Sequence, residues 1–264
     1  MVIDFHTHIF PVKIAEKALP HLAKVAGGVT PCGKATAQSM LSVMDEQGVD
    51  KAVILNIATN PHQQKSVNDF AISFVGNDRI IPFGSVHPDS DDALNELDRL
   101  KQAGIKGVKL HPDYQQFFVD EERMFPIYEK IAELGLITVF HSGVDIGYPD
   151  PVHCTPEKLS RILVRFGNAP VIAAHLGGYL MYEQTLEYLS DSGIYIDTSF
   201  SYGTVPPDYA KTIVSSIGED RVLFGTDMPW SSPVNELNYI DSLGLSDEAL
   251  KKIKYLNAQK LLKI

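Results

Sequence analysis

Val2-Ile3-Asp4-Phe5-His6-Thr7-His8 opens the chain with an apolar run that ends in two histidines one residue apart. The run reads as a short buried strand, and residues i and i+2 of a strand share a face. His6 and His8 therefore aim two imidazoles at one point where the strand ends. Neutral imidazole is the commonest protein ligand for zinc-like ions, so the pair makes half a metal site. His-x-His alone is a weak signal, and the rest of the chain decides how to read it.

Further apolar runs follow at Ala52–Asn56, Ile80–Val86, Gly107–Leu110, Ile137–Phe140, Val171–Ala174, Ile194–Ile196 and Val222–Phe224. Amphipathic stretches lie between them, among them Ala37–Gln47, Asp91–Gln102, Glu121–Leu134, Pro156–Phe166, Met181–Ser190 and Asp208–Ile217. Leu94, Leu97 and Leu100 recur at helical spacing among charges. Gly48, Gly104, Gly135, Gly193 and Gly218 each follow a helical pattern and precede a strand, as C-caps do. Thr155-Pro156-Glu157 reads as an N-cap followed by proline at the first helical position. The tail, Ser246–Leu262, is predicted to be one more helix.

Alternating strands and helices imply a parallel sheet. Eight such units in 264 residues predict one α/β domain over residues 1–264, closed as a (β/α)8 TIM barrel. The segment Pro11–Thr36 fits this least well and reads as a long loop with a short helix, placed to cover the barrel mouth.

Polar groups stand where the apolar runs end. They are His6-Thr7-His8, Lys109-Leu110-His111-Pro112, His141-Ser142-Gly143, His175-Leu176-Gly177-Gly178 and Gly225-Thr226-Asp227-Met228-Pro229. Barrel enzymes carry their chemistry at the C-terminal ends of strands. A single histidine there is ordinarily a surface or hydrogen-bonded residue, a lone Asp227 a cap, and a lone Lys109 a solvated cation or a structural ion pair. The ordered set reads differently, because the first and eighth strands become neighbours only when a barrel closes.

Composition narrows the function classes. The chain carries 23 basic and 33 acidic residues, for a net charge of −10, and no basic excess exists to displace counterions from nucleic acid. Two cysteines without a CxxC pair give no disulfide framework, and Cys154 beside His153 reads as a bystander thiol. No secretory signal pattern opens the chain, and no apolar run approaches the roughly 18 residues of a membrane helix. The expectation is a cytoplasmic protein that binds a small-molecule substrate, and neither nucleic acid nor membrane.

These motifs, from Asp4-Phe5-His6-Thr7-His8 to Phe224-Gly225-Thr226-Asp227-Met228-Pro229, resemble the amidohydrolase superfamily, in its amidohydrolase-2 branch of metal-dependent hydrolases and decarboxylases. The resemblance spans nearly the whole chain and implies a distorted barrel, a homodimer, and one divalent ion, zinc before manganese or iron. It implies His6, His8, His141 and Asp227 as ligands, and His175 with Asp227 as the catalytic groups acting on activated water. It also implies an alternative, a second metal bridged by a carbamylated Lys109. In the one-metal arrangement Lys109 stays an ammonium and binds substrate, with His111 and Trp230. Asp145, Tyr148, His153 and Tyr202 are further mouth candidates from their loops.

The leading functional expectation is hydrolysis of an amide, ester or lactone in a small, carboxylate-bearing molecule. The alternative is a nonoxidative decarboxylase or hydratase of an unsaturated or aromatic acid, which the same framework supports. A decarboxylase calls for a cationic clamp, and no arginine belongs to a strand-end motif; Arg123, Arg161 and Arg165 fall on or near predicted helices. A binding protein with a decayed site would have lost ligands, yet every one-metal position is filled.

Overall fold

The computed structural model describes residues 1–148 and 150–264. Eight parallel strands are β1 (Ile3–Thr7), β2 (Lys51–Leu55), β3 (Ile80–Phe83), β4 (Gly107–Leu110), β5 (Ile137–Phe140), β6 (Val171–Ala173), β7 (Tyr195–Asp197) and β8 (Val222–Leu223). They pair in chain order as β1-β2-β3 and β4-β5-β6-β7-β8. Backbone bonds cross the two remaining seams. Gly84 N donates to Gly107 O and Lys109 N to Gly84 O, at 2.9 and 2.8 Å. Phe5 N donates to Phe224 O and Asp227 N to His6 O, at 2.8 Å each. The result is the predicted (β/α)8 arrangement, distorted because the strands are only two to five residues long.

The helices are α1 (Val12–Val25), α2 (Ala37–Gln47), α3 (Gln64–Ile72), α4 (Ala93–Gln102), α5 (Pro112–Gln115), α6 (Phe125–Leu134), α7 (Pro156–Ile162), α8 (Tyr182–Tyr188), α9 (Pro207–Ile217), α10 (Pro233–Ser242), α11 (Asp247–Lys251) and α12 (Asn257–Leu262). Local chemistry sets several ends. Thr36 caps α2 by accepting from Ser39 N, and Gly48 ends it at φ +77°. Thr155 caps α7 as the sequence predicts, but the last turn to Phe166 tightens to a 3₁₀ turn. The C-terminal helix holds a π-helical stretch over Lys252–Leu256. In α4 the buried stripe is Ala93, Leu97 and Leu100, while Leu94 faces outward. The segment read as a loop with a short helix contains the 14-residue α1, which tolerates Pro20 in its interior.

The strands bury both faces. Val108, Leu110, Phe140, Ile196, Val222 and Phe224 pack under helix residues such as Leu97, Ile131 and Val214. The inner face stacks Ile3, Phe5, Val53, Leu55, Phe83, Ile137, Val139, Ile172 and Leu223, with Ala258 and Leu262 of α12. The two-residue period then fixes what lies above that core. Val139 is followed two residues on by His141, Tyr195 by Asp197, and Leu223 by Gly225 and Asp227. β1 adds a twist of its own. Asp4 pairs with Ala52 and Thr7 with Ile54, so one extra residue is inserted between them. That bulge keeps Phe5 in the inner core and still turns His6 and His8 to the mouth.

Candidate metal centre

His6, His8 and Asp227 each bring a ligand atom to one place, all within 4.8 Å of one another. Asp227 Oδ1 lies 3.0 Å from His8 Nε2 and 3.4 Å from His6 Nε2. The far side of each ring is already committed. His8 Nδ1 donates to the Leu55 carbonyl at 2.8 Å, and His6 Nδ1 to Asp197 Oδ2 at 2.8 Å. Burial, reinforced by the Lys109 charge, pulls the His6 pKa down to about 4. A neutral ring that donates from Nδ1 has only a lone pair at Nε2. Lone pairs from two imidazoles and a carboxylate oxygen thus converge, an arrangement that a divalent cation satisfies.

A second chain of hydrogen bonds fixes His141. Ser199 Oγ donates to Asp197 Oδ1 at 2.5 Å. His175 Nδ1, facing Ser199 Oγ at 2.9 Å and the Ser199 carbonyl at 3.3 Å, must therefore be the donor. Burial lowers the His175 pKa, so its Nε2 is an acceptor and takes the proton of His141 Nδ1 at 3.1 Å. His141 Nε2 is left as a buried lone pair without a hydrogen-bond partner. Such an orphan calls for an explanation, and a cation supplies one. The residues present fit the metal. His141 lies beside the three-residue group; its own close neighbours are His111, stacked on it at 4.2 Å and 7°, and Asp145, whose Oδ2 is 3.9 Å from Nε2.

The backbone is bent to achieve this. His175 and Asp227 hold left-handed conformations at φ +59° and +67°, each costing on the order of 1–3 kcal/mol in a side-chain-bearing residue. Gly225 is needed beneath them, since a Cβ there would stand 3.0 Å from His6 Cβ and 3.3 Å from Ser199 Cβ. Asp4 binds β1 to the loop after β8: it accepts from Thr226 Oγ1 at 2.6 Å and Thr226 N at 3.0 Å, and burial pushes its pKa up to about 7. Against the burial that would raise it, bonds and charge from His8 and His6 hold Asp227 down to about 2. Lys109 is fully buried, its Nζ 3.5 Å from His6 Nε2, and burial lowers it to about 8.

A cavity of about 180 Å³ opens on the donors. Lys109, His111, His175 and Trp230 all line it, as does Asp145. Its walls are apolar and aromatic, with Phe10, Leu22, Val29, Tyr114, Tyr179 and Phe200. Leu22 belongs to α1, so the segment that fitted the pattern least supplies part of the wall. Tyr148, His153 and Tyr202 are not among the lining groups described. His153 instead donates to Asp113 at 2.8 Å, and Tyr202 is 53% exposed. Cys154 is buried, and burial pushes its thiol well above the usual range, which suits a bystander. Arg161 and Arg165 pair with Glu157 and Glu129 on the surface, and Arg123 with Glu121. Sequence reasoning missed Asp197 and Ser199, which orient His6 and His175. The signal was present: Asp197-Thr198-Ser199 follows the seventh apolar run at once.

Fold and site together define a barrel protein with a histidine–carboxylate centre at its mouth. The chain belongs to the amidohydrolase family, whose model matches residues 3–264. Comparison with curated proteins gave no match. Among solved structures, an uncharacterized TIM-barrel protein from Bordetella bronchiseptica is 22% identical with a TM-score of 0.81, covering 99% of this chain and 98% of that one. A 5-carboxyvanillate decarboxylase from Sphingomonas paucimobilis is 17% identical, TM-score 0.75, covering 100% and 99%. A dihydroxybenzoic acid decarboxylase from Polaromonas sp. JS666, solved with bound manganese and an inhibitor, is 16% identical, TM-score 0.71, covering 99% and 96%. These likenesses establish the fold. No helix among the described residues is long and apolar enough to cross a membrane.

Proposed function

We propose that this protein is a metal-dependent, nonoxidative decarboxylase of an aromatic or unsaturated carboxylic acid. The observation that carries this reading is the cavity: apolar, aromatic walls above a polar floor of imidazoles, Asp227 and the buried Lys109. Loss of CO2 moves a localised carboxylate charge into the rest of the molecule, and a water-poor pocket favours that step. The decarboxylase names of two structural relatives support the same choice over hydrolysis, which the motifs alone put first.

His6, His8 and Asp227, joined by His141, would hold one divalent ion, zinc or manganese. Its chemistry when bound is charge stabilisation at substrate oxygens. Lys109 is the only cationic lysine or arginine among the described lining groups and serves as the carboxylate partner. The apolar and aromatic walls would limit the water around the substrate. The C–C bond to the carboxylate breaks, and a proton takes the place of CO2 on carbon. Asp227 and His175 are the groups placed to move that proton. The hydrogen bond between His141 and His175 uses one of the lone pairs that a second metal would need, which supports a one-metal site over a carbamylated Lys109 bridge.

Hydrolysis of an amide, ester or lactone keeps one specific support: the Asp197–Ser199–His175 relay suits a base that deprotonates water. The deciding experiment measures metal per chain by elemental mass spectrometry. The loaded protein is then assayed for CO2 release from a panel of aromatic and unsaturated acids, beside proton release from lactones and amides. CO2 release supports the proposal; hydrolysis without CO2 release overturns it.

A further inference from the structure

The loops after β7 and β8 meet on one buried carboxyl. Glu236 lies in the first turn of α10 and is fully buried. Its Oε1 and Ser231 Oγ share a hydrogen bond at 2.6 Å, and its Oε2 accepts from Tyr202 N at 3.1 Å and Ser201 N at 3.3 Å. Ser201 and Tyr202 directly follow Phe200, and Ser231 directly follows Trp230. Both aromatic rings line the cavity. Phe200 sits at φ +56°, a left-handed conformation that a Cβ-bearing residue keeps only where its surroundings hold it. The next two backbone N–H groups after this strained residue are the two that Glu236 takes. Ser199, on its other side, is fixed by Asp197 and His175, so the turn is pinned at both ends.

We propose that Glu236 is a positioning residue that latches the β7 and β8 loops together and holds Phe200 and Trp230 as walls of the cavity, making this contact a determinant of which substrates fit. The effect on substrate fit rests on the cavity being the active site, as proposed above; the latch itself does not. The carboxyl touches neither the donor set nor the cavity, so it acts through the two aromatic residues.

Trp230 is the only tryptophan in the chain, so intrinsic fluorescence reads its position without a substrate. Wild type and Glu236→Ala are compared as metal-loaded protein for emission maximum, acrylamide quenching, far-ultraviolet circular dichroism and metal content. The expected result is a red-shifted, more quenchable Trp230 with secondary structure and metal retained. On any acid the wild type turns over, KM rises about tenfold with a smaller change in kcat, as for a loss of ground-state fit. Unchanged emission and quenching overturn the latch; a shifted Trp230 with unchanged KM overturns its part in specificity. Where Glu236→Ala fails to fold, Ser231→Ala removes only the bond to the β8 loop, and the presence or absence of the same spectral shift decides. A wild type that releases no CO2 refutes the proposed function and leaves the fluorescence test standing.

Discussion

His8 Nε2 and Asp227 Oδ1 face each other across 3.0 Å, while the other ring nitrogen of His8, Nδ1, donates to the Leu55 carbonyl. A divalent ion between them would be bound by the Nε2 lone pair and the carboxylate together. Divalent ions should therefore bind the native state and raise its melting temperature. Saturation at about 100 times Kd adds about 2.7 kcal/mol of stability. His8→Ala should abolish most of that gain while leaving the metal-free melt close to wild type. A chelator-treated protein whose melt does not respond to zinc or manganese would count against the centre.

Asp197 supports the same site from behind. Burial opposes its ionisation, yet hydrogen bonds from His6 and Ser199 hold its carboxyl below the usual range. Asp197→Asn should weaken metal binding roughly 10–100-fold, the usual effect of removing the partner behind a ligating histidine. Isothermal titration of the two metal-free proteins checks this. Equal affinities would show that the His6 ring is oriented by something other than Asp197.

How far this site was legible depends on the kind of relation involved. His6, His8 and Asp227 announce themselves because each stands at or shortly after the end of an apolar run, and the two-residue period aims them. Asp197 does not, because the seventh apolar run reads as ending at Ile196, which leaves the aspartate in a loop. Its role rests on bonds to His6 of β1 and to His175 just after β6, partners at 191 and 22 residues' remove. The β1 bulge is likewise invisible in one strand, since it is a mismatch with β2. The helix α1 was obscured by Pro11, Pro20 and Gly27-Gly28, breakers that the fold places at the ends of the segment or absorbs within it.

Substituting His175 tests whether metal binding and turnover can be separated. This residue hydrogen-bonds to His141 and Ser199 and lies outside the group formed by His6, His8 and Asp227. His175→Asn should keep most of the metal and lose about 10²–10⁴-fold in kcat, the range for a group that moves a proton in the transition state. Asp227→Asn should lower both metal content and turnover. Should His175→Asn instead empty one of two bound ions, the one-metal reading is overturned.

Lys109 is buried; among the described residues its ammonium has one hydrogen-bond partner, His6 Nε2 at 3.5 Å, with Asp197 and Asp227 acting on it from farther away. Burying a charge without a direct ion-pair partner is unfavourable, and in the proposed reading a substrate carboxylate would supply that partner. Lys109→Met should melt no lower than wild type. Its KM for an acid substrate should rise roughly 10–100-fold, matching about 1.5–3 kcal/mol for a lost hydrogen bond to a charged group. A marked fall in melting temperature would make Lys109 a structural residue instead.

Glu236 makes stability depend on pH. Burial raises its carboxyl from the ordinary 4.5 to about 8 in the folded protein. Between those values the native state holds a proton that the unfolded chain has released, so stability falls as pH rises. The slope from this one group is about 1.4 kcal/mol per pH unit, with the full contribution present below pH 4.5 and lost once pH passes about 8. Glu236→Gln cannot ionise and should lack that slope. Thermal melts at mildly acidic, neutral and mildly alkaline pH should bring the two proteins together at the acidic end and leave the glutamine variant the more stable one at the alkaline end. Parallel curves across the range would mean that the carboxyl is already ionised in the folded protein, and that the β7 and β8 loops are held by an anion and not by a neutral acid.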